Sequence, residues 1–91
     1  MPDKNMYSYE IKEGLEKSLQ KLARKDHRLY EVVMRKILQI AEKPEIGKSL
    51  RNVLKGKKRV HIGHFVLIYS VNDIEQRVTF LEFEHHDKAY Q

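Results

Sequence analysis

The side chains best suited to chemistry in this chain lie in two short stretches. "KKRVHIGH" carries Arg59, His61 and His64, and the closing "FEHHDKAYQ" carries His85, His86 and Tyr90. An imidazole, with an unperturbed pKa of about 6.5, exchanges protons near neutrality and can act as general base or general acid. The surrounding charge suggests what it would act upon. Residues 47–64 contain Lys48, Arg51, Lys55, Lys57, Lys58 and Arg59 and no acid, a net of +6. Residues 1–46 hold ten Lys/Arg and eight Asp/Glu, and residues 65–91 hold two basic and five acidic residues. The basicity is therefore one local block, which points to a polyanion, most simply nucleic acid. A solvated basic loop is the plain alternative.

The elements that must position these groups follow from the hydrophobic period. "MYSYEIKE" alternates as a first strand, with Tyr7 and Tyr9 on one face. From Gly14, Leu15, Leu19 and Leu22 recur at helical spacing. Asp26 then reads as the N-cap of a second helix, "HRLYEVVMRKILQIAEK", with Leu29, Val32, Val33, Ile37 and Ile40 as its apolar stripe. Pro44 and Gly47 stop it. The short link predicts an antiparallel helical hairpin.

Beyond residue 47 the period shortens to two. "SLRNVL" reads as a possible strand and "KGKK" as a turn; "RVHI" then alternates, with Val60 and Ile62 opposite Arg59 and His61. "HFVLIYSV" is apolar on both faces, as a central strand should be. A turn at Asn72–Asp73 leads into a last strand, "RVTFLEFE". The expected fold is α+β in the order β-α-α-β-β-β, with both helices on one face of a small, mostly antiparallel sheet. Val60 and Ile62 would face the helices, leaving Arg59, His61 and the end of the last strand to share the open face. His85 and His86 are adjacent, so in a strand they point to opposite faces and cannot both serve one site. Tyr69, Phe65, Leu67, Phe80 and Phe83 read as core.

Ninety-one residues allow one domain, 1–91, burying roughly 60–65% of its unfolded surface. The chain has no cysteine for a disulfide or thiolate metal site, which a reducing cytosol permits. A zinc site from His61, His64, His85 and His86 matches no standard spacing. The polar N-terminus lacks a signal-peptide run, and no stretch reaches the ~20 apolar residues of a membrane span. The expectation is a cytoplasmic protein with no membrane partner.

Three stretches in succession, "KPEIGKSL", "KKRVHIGHFVLIYSV" and "FLEFEHHDKAY", resemble signatures of the RelE/ParE toxin superfamily. These are a Pro-Glu-x-Gly-Lys-x-Leu loop, an Arg-x-Arg-x-Gly-Asp-Tyr-Arg-x-x-Tyr-x-Val strand pair and a terminal His-Arg-x-x-x-Tyr. The resemblance spans almost the whole chain and implies a RelE-like fold and the toxin of a toxin–antitoxin pair. RelE-like members cut mRNA in the ribosomal A site by 2′-OH attack on the adjacent phosphate, with no metal or cofactor. ParE-like members poison DNA gyrase. By position, the resemblance implies Arg59, His61, His86, Tyr90 and, as alternate, His85 as catalytic. It implies Lys48, Arg51, Lys55, Lys57 and Lys58 as RNA contacts, and a cognate antitoxin, mRNA and the ribosome as partners. Three positions depart from the pattern: His64 replaces Asp, Phe65 replaces Tyr and Val66 replaces an arginine that meets the scissile phosphate.

Such cleavage needs a proton acceptor, a proton donor and cations around the pentavalent phosphorane. Losing one cation costs about 10²–10³ by analogy with an oxyanion-hole donor, so Val66 implies a weakened nuclease in which Arg59, Lys57 or Lys58 substitutes in part. The competing readings are a gyrase inhibitor and a non-catalytic RNA-binding module.

Overall fold

A computed structural model describes residues 6–50 and 56–89. Its elements run β1 (Ser8–Ile11), α1 (Glu13–Lys25), α2 (His27–Glu42), a 3-10 turn (Pro44–Ile46), β2 (Lys48–Ser49), β3 (Lys57–Ile62), β4 (Phe65–Asn72), β5 (Arg77–His85) and a short α3 (His86–Ala89). The strands form one sheet in the order β1-β5-β4-β3-β2. β1 runs parallel to β5, and the other neighbours are antiparallel. This is the expected α+β architecture with β4 at the centre.

A single residue makes the helical hairpin. Asp26 closes α1 through its N–H to the Leu22 carbonyl at 2.7 Å. Its carboxylate accepts the Leu29 N–H at 3.1 Å, capping α2. Glu13 and Glu16 in the first turn of α1, and Arg24 and Lys25 in its last, complement the helix dipole. Leu15 and Leu19 of α1 and Val33, Ile37 and Ile40 of α2 bury against Ile62, Leu67, Tyr69, Val78 and Phe80 of the sheet.

β5 contains an irregularity that strict alternation would forbid. Phe80 pairs with Tyr69 and Phe83 with Leu67, so Leu81 is an extra residue between paired positions. Three positions apart, Phe80 and Phe83 would point to opposite faces of a regular strand; the bulge lets both turn towards the helices. Leu81 instead packs with Val66, Ile68 and Leu50 on the other face.

Two expectations need correction. Lys57 and Lys58 belong to β3 rather than to a turn, because the β3–β4 ladder extends to Lys57↔Ser70; Gly56 just before it has φ +90°. The strand expected over "SLRNVL" is described only at its start: β2 pairs Lys48↔Arg59 and Ser49↔Lys58, and residues 51–54 lie outside the described residues. Among the described residues no helix is long and apolar enough to cross a membrane.

Candidate nucleic-acid cleavage site

The sheet face away from the helices is built from cross-strand rows. Lys48, Arg59, Ile68 and Glu82 form one row across β2, β3, β4 and β5, and His61, Val66 and Glu84 form the next. Side chains on one face of paired strands sit side by side. The face therefore grades from basic at β2 and β3, through an apolar strip on β4, to exposed acids on β5.

That strip covers the middle of the face. Val66 is 0% and Ile68 2% exposed, packed with Leu50 and Leu81. The position where the resemblance implied an arginine is therefore a second small core, and a charge there would be desolvated.

His61 and His86 meet beside this strip. Their rings stack with centroids 5.2 Å apart and planes 29° from parallel. His86 is the first residue of α3, directly after β5, and its backbone N–H donates to the His64 carbonyl at 2.8 Å. That bond ties the start of α3 to the Gly63–His64 turn between β3 and β4. Gly63 has φ +61° at the first central position of this two-residue turn, a conformation glycine adopts freely. The change from β5 to α3 separates the adjacent histidines: His85 lies over the other side, against His64 (6.3 Å) and edge-on to Phe65 (5.6 Å).

Arg59 completes the cluster. Its Nη1 lies 3.1 Å from Nδ1 and 3.2 Å from Nε2 of His61. A neutral imidazole can accept that N–H, whereas an imidazolium would present only donors to it. The His61 pKa is accordingly lowered below its ordinary value, first by desolvation, then by the charges of Arg59, His86 and Lys48. A shallow groove lined by Ile46, Lys48, Arg59, Val60 and His61 runs beside the pair. Both ring edges, the guanidinium and the Lys48 ammonium thus serve one region. Asp87 flanks it, with Oδ1 3.8 Å from Nδ1 of His86 and Oδ2 3.8 Å from Nδ1 of His85. Among the described residues no group of three or more His, Asp or Glu side chains is arranged to hold a metal ion.

Of the residues singled out in the sequence, Arg59, His61, His86 and Lys48 come together, and His85 faces away. Lys58 lies at the neighbouring register position, its Nζ 3.3 Å from Ser49 Oγ, and Lys57 lies further along β3. Arg51, Lys55 and Tyr90 lie outside the described residues. Sequence reasoning named the loop that carries Lys48 but missed the side chain that holds it. Tyr69, buried on β4, donates its hydroxyl to the Pro44 carbonyl at 2.7 Å and accepts the Gly47 N–H at 2.9 Å. The available signal was a phenol within an apolar central strand, since a buried Tyr O–H needs a partner. The acids Glu82 and Glu84 on the same face were also missed.

Comparisons with known proteins bear on the family and the fold. Residues 9–90 match the family described as ParE toxin of type II toxin-antitoxin system, parDE. The chain is 39% identical over 87 residues to a Methanocaldococcus jannaschii protein named "Putative toxin RelE4", covering 94% of this chain and 93% of that one. The toxin–antitoxin complex RelBE2 of Mycobacterium tuberculosis contains a chain with TM-score 0.76 and 25% identity, over 87% of this chain and 96% of that one. The isolated E. coli RelE toxin has the same fold, with TM-score 0.74 and 20% identity, over 91% of this chain and 87% of that one.

Proposed function

The chain belongs to the RelE/ParE superfamily of toxins of type II toxin–antitoxin systems, and on that premise we propose that it is a ribosome-dependent mRNA endonuclease neutralised by a cognate antitoxin. The observation that carries this reading is the stacked His61–His86 pair with Arg59 on the same edge. Two proton carriers beside a fixed cation are what 2′-OH chemistry requires.

In this reading His61, neutral near pH 7, takes the proton from a ribose 2′-OH. The 2′ oxygen attacks the adjacent phosphorus and the bond to the 5′ oxygen breaks. His86 gives a proton to that leaving oxygen. Arg59 and Lys48 hold the negative charge of the phosphorane. Rings stacked 5.2 Å apart leave no gap for a phosphate between them, so the phosphate lies across their edges. The products are a 2′,3′-cyclic phosphate and a 5′-hydroxyl.

The direct test is the chemistry of the fragment ends. Cyclic phosphate and 5′-hydroxyl ends, lost in His61→Ala and His86→Ala variants, support the proposal; 3′-hydroxyl and 5′-phosphate ends contradict it. The buried Val66, with the family match to ParE toxins, favours a second reading, inhibition of DNA gyrase. Intact RNA together with gyrase-dependent DNA breaks selects that reading.

A further inference from the structure

Gly47 adopts φ −79° and ψ 158°, extended backbone that any residue can take. Its lack of a side chain must therefore serve space rather than conformation. A Cβ there would overlap the Tyr69 hydroxyl and come within 2.8 Å of the Arg59 carbonyl, closer than such contacts occur. Gly47 is thus wedged between the buried phenol of β4 and the backbone of β3. Tyr69 grips the loop at two points, the Pro44 carbonyl and the Gly47 N–H. The next residue is Lys48, which enters the ladder opposite Arg59, and its charge reaches His61. The β2–β3 ladder holds Lys48 and Ser49 from the other side, and beyond it the Leu50 N–H donates to the Lys57 carbonyl at 2.8 Å.

We propose that Tyr69 is a positioning residue: through the loop at 44–47 its hydroxyl fixes Lys48 beside Arg59 and His61. The functional meaning rests on the nuclease reading above, and the placement itself does not. Buried phenols often act only to satisfy a backbone, so the test must separate placement from stability.

His61 is the reporter, because Lys48 depresses its pKa across space. Its Cε1 proton is followed by NMR titration in the wild type, Tyr69→Phe, Lys48→Gln and the double variant. Tyr69→Phe retains the ring and its packing, and Gly47→Ala drives the loop away while leaving Tyr69 intact. The expected result is an upward shift of the His61 midpoint in Tyr69→Phe, matching that in Lys48→Gln. The double variant shifts no further, as two changes acting through one contact are non-additive. Gly47→Ala gives the same shift. The proposal is overturned if Tyr69→Phe and Gly47→Ala lower the melting temperature while His61 titrates as in the wild type. RNA cleavage is measured in parallel: kcat/KM falls by the same factor in Tyr69→Phe and Lys48→Gln, and by no more in the double variant. Absence of cleavage in the wild type defeats the nuclease reading and leaves the titration to decide the placement.

Discussion

At the residue scale, the central feature is a histidine kept neutral by its neighbours. Desolvation and the charges of Arg59, His86 and Lys48 all act on His61 in the same direction. As a base it should therefore remain competent below the pH at which a free imidazole protonates. The acidic limb of the kcat/KM profile is expected below about pH 6.5, and Arg59→Gln should move it towards higher pH. The same variant removes a cation from the phosphorane, lowering the rate by about 10²–10³. His86→Ala should cost roughly 10²–10⁴ as a lost proton donor. The stability consequence has a definite sign. Because folding lowers the His61 pKa, the unfolded chain binds more protons as pH falls below about 6.5, so this group progressively opposes folding on the acid side. Replacing His61 by Gln should flatten that part of the stability–pH curve, measured by urea unfolding at successive pH values.

Elements explain why these residues meet, and here the sequence was legible to different depths. The helices were read correctly because Leu15, Leu19, Val33, Ile37 and Ile40 keep the helical period that their burial demands. Asp26 announced its cap by type and place. Removing that cap with Asp26→Ala should cost about 0.5–2 kcal/mol. Each kcal/mol lowers the melting temperature of a chain this size by about 4–8 °C, with the cleavage site untouched. Strand parity separated His85 from His86, but which of the two joins His61 depends on the bulge and on the turn into α3 after His85. What parity could not reveal was the bulge at Leu81, because an inserted residue leaves the hydrophobic pattern of "TFLEFE" looking regular enough. Nor did composition reveal that Val66 and Ile68 sit in a covered strip: the residues that pack on them, Leu50 and Leu81, come from distant parts of the chain. The hold of Tyr69 on the 44–47 loop was hidden for the same reason, since its two hydrogen bonds span 25 and 22 residues.

The whole molecule is electrically divided, and the division sits on the sheet face away from the helices. Lys48, Arg59 and His61 occupy one side of the apolar strip, and Glu82 and Glu84 the other. A single-stranded polyanion should therefore follow β3 rather than cross the sheet. Glu82→Gln with Glu84→Gln is expected to tighten RNA binding at low salt without creating new contacts, while Lys48→Gln weakens it. Each phosphate contact on single-stranded nucleic acid contributes about −0.7 to the slope of log affinity against log salt, so Lys48→Gln should make that slope shallower by about that amount. Binding isotherms between low and moderate salt decide both. Unchanged affinity in the double glutamine variant would mean that the acidic strand does not bear on the RNA path.

Primer extension on a defined mRNA, incubated with the purified, antitoxin-free protein in the presence or absence of programmed ribosomes, tests the central claim most directly. The expected result is cuts at A-site codons that require the ribosome and disappear in the His86→Ala variant. Uncut mRNA on ribosomes of the protein's own lineage, from a preparation shown to be folded, would contradict it.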